Sequence, residues 1–306
     1  MSTDFDTRMM ARALQLARKG RYWASPNPHV GCVMVRDGVV IGEGFTQPAG
    51  GNHAEIEAMA AAGDVSGATA YVSLEPCSHT GKTGPCADAL IKAGVSRVVV
   101  AMEDPNPEVS GQGLAKLREA GVATDFGVLE GEARTEIAGF VARMTRGRGR
   151  VRAKLAMSLD GRTAMASGES QWITGPAARS DVQKLRAESC AIVTGSGTVL
   201  ADDCALTVRP DQLGLDEPEL LRATGRPPLR VVLDSRLRVS AAAKVLAGEA
   251  PTLLVHDQAL AATQQYPPGV ALAGIEAGPS GLSLEAVMSA LTARHCNEIL
   301  VESGPR

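Results

Sequence analysis

Hydrophobic and polar positions alternate along this chain in two periods. Met10, Ala13, Leu14 and Ala17 recur at helical spacing over residues 7–19, with Asp6 or Thr7 placed to cap the helix and Gly20 to end it. The runs 30–35 and 39–45 are β-rich and flank Arg36-Asp37-Gly38, so they predict a hairpin with an Asp-Gly turn. An alanine-rich helix opens at His53 and runs to about Ala62. Strands are predicted over 68–74, 96–102 and 122–127, and helices over 87–94, 112–120 and 131–143. Strands alternating with helices indicate a layered α/β domain.

The segment Arg143–Arg150 lacks apolar periodicity and reads as a solvated linker, with a phosphate-binding arm as the functional alternative. Alternation then resumes. Residues 152–158, 190–195, 229–234, 252–256 and 298–303 are strand-like, and 175–189 and 283–294 are helix-like. The proline-bearing stretch 209–228 reads as an excursion loop. A chain of 306 residues with 44% hydrophobic content suits two domains, and the break falls at 147/148, giving 1–147 and 148–306.

Charge narrows the function. A formal net charge of -3 offers no basic field for nucleic acid. The N-terminus is charged throughout, with no apolar signal core or membrane span, so a cytoplasmic location is expected. Six cysteines are too sparse for a disulfide scaffold, which leaves metal binding to be judged from their spacing.

That spacing is informative. His53 and Glu55 stand two apart at the start of a helix; Cys77 follows Pro76 after a strand; Cys86 opens the next helix. One imidazole and two thiolates make three ligands for Zn2+ and leave a fourth position for water, the mark of a catalytic ion. Glu55 is then free to carry protons. This set matches the H-x-E and P-C halves of the signature of zinc deaminases acting on bases. It departs in the second half, because Ser78 through Pro85 separate the cysteines where that signature has two residues. The alternatives are a closed structural zinc site with His79 as fourth ligand, and buried thiols without metal. Gly81-Lys82-Thr83 is rejected as a phosphate loop, since position 76 is proline. In the second half, Gly195-Ser196-Gly197 after a strand is a weak nucleotide signal that a tight turn explains equally well.

Together, the segments Ser25–Val33, Gly51–Met59, Leu74–Ile91, Glu103–Pro107, Lys154–Gly175 and Gly195–Arg209 resemble the bifunctional deaminase–reductase family of riboflavin biosynthesis over nearly the whole chain. The resemblance implies a cytidine-deaminase-like α/β/α domain followed by a dihydrofolate-reductase-like α/β domain that uses NADPH. It implies that His53, Cys77 and Cys86 bind zinc, that Glu55 shuttles protons, and that Asn27, His79, Lys82, Asp104 and Asn106 line the pocket of a phosphorylated ribosylamino-pyrimidine. In the second domain it implies NADPH contacts at Ala156, Trp172, Thr198, Asp202, Ser235 and Gly304. Substrate contacts are implied at Lys154, Ser170, Arg186, Leu206, Arg209 and Glu302. Turn chemistry is the alternative for Asn27 and Asn106, core packing for Trp172, and a plain surface charge for Arg186. The chain stops at Arg306, earlier than the family's reductase domain, so an incomplete reductase is expected. A deaminase with a non-functional reductase remnant and a nucleoside or tRNA deaminase remain as rival readings; aromatic content of 3% argues against the latter. Homo-oligomerisation is left open.

Overall fold

In the computed structural model, residues 3–78, 84–107, 109–167, 169, 172–261, 264–279 and 281–304 are described. The chain forms two compact units, Met1–Arg146 and Gly147–Arg306.

The first unit opens with helix α1 (Asp4–Arg18), whose Met10, Ala13, Leu14 and Ala17 are buried as the periodicity predicts. Its cap is Thr3, not Asp6 or Thr7. The Thr3 hydroxyl accepts from the Asp6 N–H at 3.0 Å, and the Asp6 carboxylate accepts from the Thr3 N–H at 3.1 Å, closing a capping box one turn earlier. Strands β1 (Gly31–Arg36) and β2 (Val39–Phe45) form the predicted hairpin. Asp37 and Gly38 turn it with φ of 52° and 76°, values that an Asp-Gly pair tolerates. Then follow α2 (Ala54–Ala62), β3 (Thr69–Val72), α3 (Cys86–Lys92), β4 (Arg97–Val100), α4 (Gln112–Glu119) and β5 (Ala123–Phe126). The helix predicted over 131–143 is two, α5 (Glu130–Glu136) and α6 (Ala138–Arg146), broken at Ile137.

These strands form one sheet in the order β2-β1-β3-β4-β5. β1 runs antiparallel to β2 and β3, while β3, β4 and β5 are parallel. Glycine lets the helices sit close on it: a Cβ on Gly31 would lie 1.9 Å from the Ala13 carbonyl oxygen, and one on Gly42 2.3 Å from that of Ala58. A partly buried ion pair fixes α1 across the sheet. Asp6 accepts from Arg97 at 2.9 and 3.2 Å and from the Tyr71 hydroxyl at 2.8 Å.

The stretch Arg143–Arg150 is not a free linker. Arg143–Arg146 complete α6, and Arg150 begins β6 (Arg150–Lys154). The second unit continues with α7 (Pro176–Glu188), β7 (Ala191–Gly195), α8 (Ser196–Asp202), α9 (Glu217–Thr224), β8 (Leu229–Leu233), β9 (Thr252–Asp257), β10 (Val270–Ile275), the short hairpin β11 (Ala277–Gly278) and β12 (Gly281–Leu282), α10 (Leu284–Thr292) and β13 (Glu298–Glu302). The expected loop at 209–228 holds a 3-10 turn (Pro210–Gln212) and α9, because Pro218 falls in the first helical turn, where its missing N–H costs nothing, and Asp216 caps it. Six strands form a sheet in the order β10-β9-β8-β7-β13-β6, with every neighbouring pair parallel. Both faces are covered: Ala191, Val193, Val231, Leu253 and Ile299 bury on one side, Ile192, Val232, Leu254 and Leu300 on the other. That explains why these strands read as unbroken apolar runs.

Candidate active sites

In the first unit, three local structures deliver side chains to one sheet edge. His53 is the N-cap residue of α2 and offers its ring rather than a capping bond. Cys77 follows the carboxyl end of β3, and Cys86 is the first residue of α3. The ligand atoms of the three lie within 4.8 Å of one another. His53 Nδ1 is 3.6 Å from Cys77 Sγ and 3.3 Å from Cys86 Sγ. The two cysteines thus meet although eight residues separate them in sequence, and the Cys86 N–H donates to Cys77 Sγ at 3.3 Å. A tetrahedral zinc with ordinary bond lengths separates a sulfur and a nitrogen ligand by roughly 3.6 Å. The donor set and its spacing fit that ion.

The electrostatics agree. Cys77 is drawn down to about 4, chiefly because the Cys86 thiol donates to its sulfur and also because His53 stands beside it. Cys86 is pushed up by that same donation and by burial. A divalent ion at this point favours the ionised form of both sulfurs. His53 is raised by its hydrogen bond to Cys77. Glu55, in the first turn of α2, is only 4% exposed, and burial pushes its carboxyl up to about 7.

The expected pocket residues approach the same edge. Because β1 is antiparallel to β3, Asn27 lies on the segment that enters beside the end of β3, where the Gly31 N–H donates to Ser73 Oγ at 3.0 Å. Its own N–H donates to the Ala24 carbonyl at 3.0 Å. Asp104 and Asn106 follow β4, the parallel neighbour of β3. The buried Asp104 accepts from the Asn106 N–H at 2.8 Å. His79 and Lys82 lie outside the described residues.

Two residues went unread. Cys32 is completely buried on β1, and its thiol is pushed up by burial and by the nearby Glu55 charge. Glu75 is buried two residues before Cys77 and accepts four main-chain N–H groups. A charged residue wedged between an apolar strand and Pro-Cys was the available signal.

In the second unit the expected residues gather at the carboxyl ends of β6, β7, β8 and β13, the usual ligand edge of a parallel sheet. Thr198 lies on α8 just past β7, and its hydroxyl accepts from the Gly304 N–H at 3.2 Å, past β13. Ser235 follows β8, half-buried Ala156 follows β6, and Asp202 ends α8, exposed. Glu302 closes β13 and receives the Arg186 guanidinium through two bonds, 2.6 and 2.9 Å, with Lys154 Nζ at 3.7 Å. Arg186 also donates to the Thr207 carbonyl at 2.8 Å. Its guanidinium thus orients Glu302 and is no loose surface charge. Leu206 holds φ of 51° with its side chain buried. Arg209 is exposed, and its N–H donates to Gln183 at 2.9 Å. Trp172 is 69% exposed, with the Arg179 guanidinium 4.5 Å from its ring centre, so core packing is not its role. Ser170 lies outside the described residues.

With this geometry in view, comparison with known proteins is specific. Residues 3–102 match the family model of the cytidine and deoxycytidylate deaminase zinc-binding region, and residues 150–306 match that of the RibD C-terminal domain. The riboflavin biosynthesis protein RibD of Escherichia coli K12 is 49% identical over 302 residues, covering 98% of this chain and 82% of that protein. A solved RibD of Acinetobacter baumannii superposes with a TM-score of 0.85 at 44% identity, covering 98% of this chain and 80% of that one. A diaminohydroxyphosphoribosylaminopyrimidine deaminase/5-amino-6-(5-phosphoribosylamino)uracil reductase of Thermotoga maritima does so with 0.85 at 37%, covering 98% and 81%. A zinc-type deaminase unit joined to a RibD reductase unit, alike in sequence over nearly its full length, places this chain in the RibD family of riboflavin biosynthesis proteins.

Proposed function

We propose that the first unit hydrolyses the 2-amino group of 2,5-diamino-6-ribosylamino-4(3H)-pyrimidinone 5′-phosphate, and that the second reduces the ribosyl group of the product to ribityl. The observation that carries this reading is the His53, Cys77 and Cys86 cluster beside the buried Glu55.

His53, Cys77 and Cys86 would hold zinc, which supplies the Lewis acidity that lets water lose a proton near neutral pH. Glu55 takes that proton, since burial has already raised its affinity for one. It then returns protons to the ring nitrogen and to the departing ammonia, so one carboxylate serves as base and acid in turn. Its burial keeps bulk water from competing for the transferred proton. Asp104, Asn106 and Asn27 offer acceptor and donor groups for the ring edge.

In the second unit Thr198, Ser235, Ala156, Asp202, Trp172 and Gly304 line the nucleotide side, and NADPH supplies the hydride to ribose C1′. Lys154 and the Arg186-oriented Glu302 face the sugar, where a fixed carboxylate holds hydroxyl groups, and Arg209 stands ready for phosphate. Thiolate zinc ligands suit a reducing, cytoplasmic setting. No helix among the described residues is long and apolar enough to cross a membrane.

The test is Glu55→Ala. Ammonia release should vanish while zinc stays at one per chain and NADPH oxidation on pre-deaminated substrate continues; undiminished ammonia release would remove Glu55 from the mechanism.

A further inference from the structure

Glu75 is a buried carboxylate that accepts four main-chain N–H groups, and the chemistry above assigns it no part. It is 4% exposed and stands between β3 and the ligand Cys77. One oxygen, Oε2, accepts from the N–H groups of Asp104 at 3.1 Å and Gly111 at 3.0 Å. The other, Oε1, accepts from Gly113 at 2.9 Å and Leu114 at 3.1 Å. Its own N–H donates to the Met102 carbonyl at 3.0 Å.

The sequence around α4 explains why a distant carboxylate is needed. The N-cap of α4 is Gly111, which has no side chain to satisfy the exposed N–H groups of the first turn. Glu75 fills that role across a gap of 36 positions, and its charge suits the positive end of the helix. Gly113 lets the turn approach: a Cβ there would lie 2.0 Å from the Pro76 carbonyl oxygen. The same carboxylate thus grips both ends of the segment bearing Asp104 and Asn106. Asp104 in turn accepts the Asn106 N–H at 2.8 Å, and the Asn106 carbonyl accepts from Val109 and Ser110 at 2.9 Å.

We propose that Glu75 is a positioning residue of the deaminase: it holds Asp104 and Asn106 in fixed register with the metal ligand two residues down its own chain, so that the pyrimidine ring meets Glu55 correctly. The proposal rests on the reading of Asp104 and Asn106 as pocket residues. The side chain must be a carboxylate because all four partners are donors. A glutamine turns one of its two ends into a donor and sets it against two N–H groups.

The experiment compares Glu75→Gln, Asp104→Asn and Asn106→Ala in the full-length zinc-loaded enzyme. Zinc content, melting temperature, deaminase kcat and KM, reductase turnover and amide exchange are measured for each. Glu75→Gln is expected to keep one zinc per chain and full reductase turnover. Its deaminase KM should rise at least tenfold with kcat within threefold, and the amides of Asp104, Gly111, Gly113 and Leu114 should exchange faster. A residue that merely stabilised the unit would lower the melting temperature and leave KM alone. If Asp104→Asn and Asn106→Ala raise KM and Glu75→Gln does not, the proposal fails and the pocket reading stands. If neither pocket variant moves KM, the pocket reading fails and takes the proposal with it. Should Glu75→Gln not fold, Glu75→Asp keeps the charge but is too short to reach both amide pairs. It must then raise KM in the same assays, and an unchanged KM overturns the proposal.

Discussion

The two sites solve opposite problems. In the first unit the functional groups converge at one point: three ligand atoms, of which that of Cys86 is buried, lie within 4.8 Å, and a nearly inaccessible Glu55 stands beside them. In the second unit they are spread along four parallel strand ends. Asp202 and Arg209 are exposed, Trp172 stands largely in solvent, and Glu302 is held by Arg186 and Lys154. A small cation exerts its pull only at bond length, so its ligands must be placed by the fold. A dinucleotide and a sugar phosphate offer many contacts and complete an open edge as they bind. The first site should therefore fail abruptly when one group is changed, and the second by degrees.

The largest effect should come from Glu55→Gln, which keeps shape and removes the base. Deaminase kcat should fall by about 10²–10⁴-fold with zinc retained, read as ammonia release against metal content. Next, Cys86→Ser should lower zinc affinity and ammonia release together while NADPH oxidation is unaffected; equal loss of both activities would contradict the contrast. In the second unit Arg186→Ala frees Glu302, and reductase kcat/KM should fall about 10–100-fold with deaminase turnover unchanged. A loss as steep as that of Glu55→Gln would show the two sites to be equally rigid.

The smaller effects concern the frame of the first site. The Asp6 carboxyl is held below its ordinary range, chiefly by the Arg97 guanidinium. Because its folded value is depressed, the pair stabilises the unit fully above the unfolded carboxylate value near 4 and loses that contribution as pH falls below it. Asp6→Asn should lower stability by about 1–2 kcal/mol at pH 7, discounted because Arg97 is partly exposed, and should flatten the acid limb of the stability curve followed by circular dichroism. Trp172→Ala should leave the melting temperature nearly unchanged, since the ring is mostly solvated, while weakening NADPH binding.

The same contrast governs what was legible in the chain. His53, Glu55, Cys77 and Cys86 could be read because metal chemistry demands residue types that few other roles require. The hairpin was legible because Asp37-Gly38 adopts a conformation that few other pairs tolerate. Glu75 gave only a weak signal, its charge between an apolar strand and Pro-Cys, because its partners are main-chain N–H groups more than twenty residues downstream. α8 was missed because Gly195 and Gly197 mask a short helix, and α9 because Pro218 looks like a breaker until its place in the first turn is known. Arg143–Arg146 looked like linker because charge hid the last turn of α6, whose buried residues are Gly139 and Phe140. In the second unit the strands announced themselves through runs buried on both faces, and α7 and α10 were legible as helix-like stretches over 175–189 and 283–294. The Arg186–Glu302 pair joins positions 116 apart and could not be read from spacing.

The deaminase chemistry depends on the coordination of one ion. X-ray absorption at the zinc edge of the purified protein should give two sulfurs, one imidazole nitrogen and one light atom that exchanges with solvent, and Glu55→Gln should leave that set intact. A fourth protein ligand, or a spectrum without sulfur, would contradict it.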